Sequence, residues 1–379
     1  MSDDTLPEPD RVPGAPHPRE TLRLFGQATA EATFLDALNS GRLPHGWLLT
    51  GPKGVGKASF AWRAARYLVA TPLETAGALF APPPANSLDV DPAHPVARRI
   101  QALSEPSICL IRRSARDDGK ALSDVIRIDD VRRVKRFFSM APEAGQRRVV
   151  IVDAADEMNP SAANALLKEL EEPPANTVLF LVAHQPSALL PTIRSRCRTL
   201  RFDALSPPDL AAALEGAGQS PGDGAEAKAV AALSGGSVGA AVRLLSGDGA
   251  GLYGALVALL AGLPEMDRQA ALKLSDAAGA RGADERFELT LALLDTALAR
   301  IARTGATGAP PEPIVPGEDR MLTRLAPDAR AARDWAELAA TLTARARRGR
   351  AVNLDPAALI FDMFLDLDRT AARLAVPAS

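Results

Sequence analysis

The period of the apolar positions changes along the chain, and the change divides it. Trp47–Thr50, Ile108–Ile111, Val149–Val152 and Thr177–Val182 are short apolar runs. The last two are nearly continuous, as strands of a parallel sheet covered on both faces should be. Between the runs the spacing lengthens. Lys57–Ala70 sets Phe60, Ala64, Tyr67 and Leu68 on one helical face. After Asn159, a good N-cap, Pro160 opens another helix with Ala163, Leu166, Leu167 and Leu170 as its stripe, and Pro173-Pro174 ends it. Strands alternating with helices predict an α/β fold built on a doubly wound parallel sheet.

From Ser206 onward alanine and leucine dominate and no strand signal stands out. A glycine-rich break falls near residues 216–224 and a Gly/Pro loop at 304–317. This pattern predicts a small helical lid domain over 206–247 and an all-helical C-terminal domain over 248–379. The α/β domain is expected over 19–205. The polar, proline-rich residues 1–18 are expected to form a flexible arm. Residues 71–107, with Pro82-Pro83-Pro84, read as an excursion at the edge of the fold.

Composition narrows the partners. The 379 residues carry a net charge of -2, so no global basic field attracts nucleic acid and any contact must come from a local patch. Ile126–Arg136 offers one, a helix whose Arg132, Arg133, Lys135 and Arg136 read equally well as phosphate contacts or as a solvated face. Two cysteines, Cys109 and Cys197, make neither a disulfide framework nor a metal quartet; they suit small buried hydrophobes in a reducing cytosol. The acidic N-terminus is unlike a signal peptide, and Leu252–Leu263 is too short to span a bilayer. A cytoplasmic protein with no membrane partner is expected.

The chemistry concentrates in two places. Gly51-Pro-Lys-Gly-Val-Gly56-Lys57 lies between an expected strand and an expected helix, the context of a phosphate-binding loop. Gly51, Gly54 and Gly56 let backbone N–H groups converge on phosphate oxygens, and Lys57 would reach the β/γ-phosphates. A working loop continues with a Ser or Thr hydroxyl for Mg²⁺. Here Ala58 follows, and Ser59 points about 100° away around the helix. Residual ATP or ADP binding stays open, with impaired metal handling. The second place is Arg147-Arg-Val-Val-Ile-Val-Asp153, an apolar strand ending in the aspartate that would hold the Mg²⁺ shell. Ala154 follows it. Asp156 and Glu157 read as solvated turn carboxylates.

These motifs, with Asn164-Ala-Leu-Leu-Lys-Glu-Leu-Glu-Glu-Pro-Pro174, Thr192-Ile-Arg-Ser195-Arg196-Cys197, Leu43-Pro-His-Gly-Trp and Gly26-Gln27, resemble the AAA+ clamp-loader subunits of bacterial DNA polymerase III, nearest the delta-prime type. Asn353-Leu-Asp-Pro356 is weakly similar to the collar domain of that type. In hydrolysing AAA+ relatives a glutamate follows the strand-end aspartate and orients water. The resemblance implies a three-domain ring subunit that works with gamma/tau and delta subunits, a sliding clamp and primed DNA. It implies that Arg196 is an arginine finger given in trans to a neighbour's ATP, whereas Arg194, Arg198 and Arg201 read as solvated. Gly239 stands where ATP-binding relatives place the sensor arginine. Some delta-prime relatives carry a four-cysteine zinc module after the loop's helix; residues 71–107 have no cysteine, so no zinc is expected. The expectation is a non-hydrolysing stator that needs no cofactor of its own. An active ATPase motor subunit is the alternative.

Overall fold

Parallel strands must be joined by crossovers, and here the crossovers are helices on both faces of one sheet. The computed structural model describes residues 8–71, 84–116, 121–140, 145–220, 222 and 224–375. The chain divides into two compact units, residues 1–220 with 236–239, and residues 221–235 with 240–379.

In the first unit the elements run α1 (Ala28–Asn39), β1 (Gly46–Thr50), α2 (Lys57–Ala70), α3 (Pro95–Gln101), β2 (Ile108–Ile111), α4 (Ile128–Ser139), β3 (Arg148–Asp153), α5 (Pro160–Glu171), β4 (Thr177–Ala183), α6 (Pro191–Arg196), β5 (Arg198–Arg201) and α7 (Pro207–Gly216). The strand order is β2-β3-β4-β1-β5, all parallel. The expected α/β class is observed. α1, α3 and β5 add to the elements predicted from apolar spacing, and α7, expected within a lid over 206–247, belongs to this unit. α3 falls inside the 71–107 excursion, whose residues 72–83 lie outside the described residues.

Side-chain alternation splits the core between the faces. One face packs Phe34, Trp47, Phe60, Phe180 and Phe202, with ring centroids 5.0–6.4 Å apart. The other sets Leu48, Val150, Val152, Leu179 and Leu181 against Val131 and Val134 of α4 and Leu166 and Leu170 of α5. α2 is buried nearly all round, Trp62, Arg63 and Arg66 included, so the single apolar face read from its sequence understates its burial. Asn159 caps α5 as expected, its side chain accepting from Ala162 N at 2.8 Å.

Residues 8–18 differ from the flexible arm expected over 1–18. His17 is fully buried, Asp10 is 2% exposed at its side chain, and Glu8 accepts from Arg19 Nη1 at 2.7 Å. The arm is tied down by charge rather than by apolar burial.

The second unit contains α8 (Ala225–Ser234), α9 (Val238–Ser246), α10 (Gly249–Ala261), α11 (Arg268–Gly279), α12 (Asp284–Thr307), α13 (Glu318–Leu325), α14 (Ala329–Ala351) and α15 (Pro356–Ala375), although the first two residues of α9 pack with the sheet unit. α12 lies against α14, and α11 against α15. α12 runs to Thr307, so the loop expected at 304–317 starts later. Buried Glu318 fixes that loop, accepting from Tyr253 Oη and Arg300 Nε at 2.6 Å each and from Ile314 N at 2.5 Å. Among the described residues no single helix is long and apolar enough to cross a membrane.

Phe180 lies at the centre of the aromatic face and touches two other rings. Phe180→Ala is expected to destabilise the first unit by about 3–5 kcal/mol, the usual cost of emptying a phenyl site in a core. The midpoint of its urea unfolding, followed by tryptophan fluorescence, measures this.

Candidate nucleotide site

The loop after β1 bends because its glycines adopt conformations other residues avoid. Gly51, Gly54 and Gly56 have φ of +140°, +80° and +104°. α2 then begins at Lys57, whose side chain is folded inward and 2% exposed. Its Nζ donates to Gly51 O at 2.6 Å and also to Pro52 O. Burial lowers the Lys57 ammonium to about 8, although Asp153 and Asp156 nearby favour its charge. Ala58, the second residue of α2, offers no oxygen.

Asp153 ends β3, and β4 lies between β3 and β1. Desolvation pushes its carboxyl up to about 7; the charges of Asp10 and Glu157 add to the rise, and Lys57 and Lys53 oppose it. Ala154 follows. Asp156 is not the solvated turn carboxylate expected. Its two oxygens accept from His184 N at 3.1 Å and Gln185 N at 3.0 Å, tying the end of β3 to the end of β4. Glu157 is likewise engaged, 2.9 Å from Arg113 Nε.

His184 was absent from the sequence reading. Burial and the charge of Lys57 lower its imidazole to about 4, so at neutral pH it is uncharged. The signal for it was present. It is the first polar residue after the six apolar residues that end β4, at the strand end where open α/β sheets place their sites.

The residues present fit a bound nucleotide poorly. Gly54 O accepts from Val238 N at 2.9 Å, and a Cβ at Gly54 would strike Ser237 Oγ. Gly239 lies on the loop, 3.7 Å from Gly54 Cα measured from an ideal Cβ, and brings no cation there. The space a phosphate chain needs is bordered by the chain's own atoms, and Ala58, Ala154 and Gly239 offer it neither an oxygen-bearing side chain nor a cation.

Arg196 closes α6. Its Nη1 donates to Thr192 O at 3.1 Å and Nη2 lies 2.7 Å from Glu171 Oε1, with 37% of the side chain exposed. These partners of Arg196 lie on α5 and α6, outside the glycine loop 51–57. The neighbouring arginines differ from one another. Arg198 stacks 5.3 Å over Trp47, Arg201 pairs with Asp203 at 3.0 Å, and Arg194 is exposed. Burial pushes the Cys197 thiol up to about 12 and Cys109 to about 11, leaving both inert. On α4, Arg132, Arg133, Lys135 and Arg136 form an exposed basic face. Among the described residues no cluster of three or more His, Cys, Asp or Glu side chains is placed to hold a metal ion.

A parallel sheet of this order, with a glycine loop after β1 and an aspartate ending β3, defines an AAA+-type P-loop domain. A family model described as "DNA polymerase III, delta subunit" matches residues 26–206. The delta-prime subunit of DNA polymerase III from Pseudomonas aeruginosa is 37% identical over 202 residues, 53% of this chain and 55% of the relative. That from Bacillus subtilis is 31% identical over 177 residues, 45% and 46% of the two chains. The gamma/tau subunit from Mycobacterium bovis is 32% identical over 198 residues, 52% of this chain and 31% of the relative. The similarity to delta-type subunits of DNA polymerase III runs through residues 26–206. It spans about half the length of the delta-prime relatives.

The raised Asp153 carboxyl has a pH signature. Between its ordinary value of 3.8 and about 7 the folded protein keeps a proton that the unfolded chain has released, so stability falls as pH rises through that window. Asp153→Asn is expected to flatten the decline. Urea midpoints of both proteins at pH 5 and pH 7.5 measure the slopes; parallel slopes would rule out a penalised carboxylate.

Proposed function

We propose that this chain is a non-hydrolysing, delta-prime-type subunit of a DNA polymerase III clamp loader, a stator that donates Arg196 to a neighbouring subunit's ATP. The observation that carries the reading is an asymmetry. Ala58, Ala154 and Gly239 stand where a hydroxyl, a carboxylate and an arginine would serve hydrolysis, while Arg196 stays on an exposed helix end. A planar, permanently charged guanidinium suits charge developing on a transferred phosphoryl group. Its tie to Glu171 is between two exposed groups, and such pairs contribute only about 0–1 kcal/mol, so a neighbour's phosphate competes easily for the arginine.

The partners in this reading are gamma/tau and delta subunits, the sliding clamp, and primed DNA met through the ring. The basic face of α4 is the surface of this chain best suited to DNA phosphates. The similarity to gamma/tau subunits favours one competitor, an ATPase motor subunit of the same ring. That role needs the Mg²⁺ hydroxyl and the water-orienting carboxylate that this chain lacks.

The isolated protein is expected to hydrolyse no ATP above background. Turnover on the ordinary enzymatic scale of about one per second or faster would establish the motor reading instead.

Arg196→Ala is expected to leave the chain folded and able to join a ring, since the side chain contributes nothing to the core. DNA- and clamp-stimulated ATP turnover of the reconstituted ring should fall. Arginine fingers are worth about 10³–10⁵ in rate in GTPases, and several sites in one ring would dilute the effect. Arg196→Lys should rescue poorly because an ammonium lacks the planar fork. Unchanged turnover in a fully assembled mutant ring would reduce Arg196 to a surface arginine.

A further inference from the structure

The poor fit of the loop for nucleotide has a counterpart in the N-terminal arm, which runs through the same region. Its start is fixed at the carboxyl edge of the sheet. Arg112 follows β2, and its Nη1 donates to Asp10 Oδ1 at 2.5 Å while Nη2 donates to Glu8 Oε1 at 3.1 Å. Asp10 Oδ2 lies 3.1 Å from His17 Nε2, and the buried His17 ring meets Trp62 of α2 edge-on at 6.4 Å. The far end is fixed by Arg19, whose carbonyl accepts from Arg66 Nη2 at 2.7 Å and whose Nε donates to Gln101 O at 3.1 Å.

Between these anchors the arm reaches the residue that lies over the phosphate loop. Val12 Cγ2 lies 3.4 Å from the position of a Cβ on Gly239, the residue that rests on Gly54. Gly14 O accepts from Gln219 Nε2 at 2.7 Å, and beyond the second anchor Leu24 Cδ1 is 3.0 Å from an ideal Cβ on Gly56. The segment therefore runs from Arg112 at the end of β2 to Gly239, which lies over Gly54 of the glycine loop. The charge of Asp10 is felt at Asp153, where it helps to raise that carboxyl. A polyphosphate brought towards Asp153 would approach the Asp10 carboxylate, whose charge already reaches that residue, and like charges repel.

We propose that residues 8–17 are a built-in occupant of the degenerate nucleotide site, latched by Asp10 between His17 and Arg112, and that the chain's own arm keeps nucleotide out. This rests on the reading of residues 51–57 as a nucleotide loop. The latch is local. Removing the Asp10 carboxylate frees Arg112 and His17 from it together, leaving the arm held on this side by Glu8.

Two readouts on the full-length chain test the proposal. Trypsin cleavage after Arg11 reports whether the arm is latched, and titration with a fluorescent mant-ADP, with and without Mg²⁺, reports whether the site is open. The wild-type chain should resist cleavage at Arg11 and leave mant-ADP unbound at millimolar protein. Asp10→Ala should be cleaved there at least tenfold faster and bind mant-ADP at least tenfold tighter, and Lys57→Ala added to it should abolish that binding. A deletion of residues 1–16 should bind mant-ADP as Asp10→Ala does, which keeps the test available if the point variant folds poorly. Equal cleavage at Arg11 in wild type and Asp10→Ala would overturn the latch. Wild-type binding as tight as that of either variant would overturn the occupancy. Fast cleavage with no binding in either opened variant would overturn both the occupancy and the reading of residues 51–57 as a nucleotide loop.

Discussion

A parallel sheet buried on both faces leaves one place for polar chemistry, the edge where its strands end. Register makes that edge narrow in this chain. Thr50 pairs with Ala183 and Asp153 with Val182, so the ends of β1, β3 and β4 fall within one row of residues. The glycine loop, Asp153, Asp156 and His184 are neighbours because of this pairing. The raised carboxyl of Asp153, the lowered ammonium of Lys57 and the neutral imidazole of His184 have a common cause, which is charge confined to a rim with little water.

Polar groups at such a rim must be satisfied, and here the chain satisfies them itself. Lys57 turns to the loop's carbonyls, Asp156 takes two amides from the turn after β4, and Gly54 O takes the amide of Val238. An ATPase holds comparable groups ready for a substrate. Ala58, Ala154 and Gly239 present no polar side chain at this rim, and the polar groups around them close on one another. The edge has become part of the architecture.

Much of the first unit was legible from spacing. The apolar runs became β1 to β4 within one or two residues, and Asn159 and Pro160 started α5 where their capping chemistry placed them. β5 was harder to see, because a four-residue edge strand carrying arginines at both ends has almost no apolar signal. The arm was misread for a related reason. Low hydrophobicity is the usual mark of disorder, but Glu8, Asp10, His17 and Arg19 are fixed by Arg112 and by one another across long stretches of sequence. Asp156 and His184 were missed because each acts through the end of another strand, and local spacing carries no information about that partner.

The composition of β5 also bears on how copies of the chain can meet. Among the described residues this strand pairs only with β1, so its outer side is an edge of the sheet. Sheet edges of this kind invite strand addition between molecules. Two copies approaching edge to edge would bring Arg198 and Arg201 against the same arginines, over a run of only four residues. Arg198 lies over Trp47 and Arg201 beside Asp203, and both cations stay exposed along this edge. A short strand with a cation at each end is a poor template for such pairing.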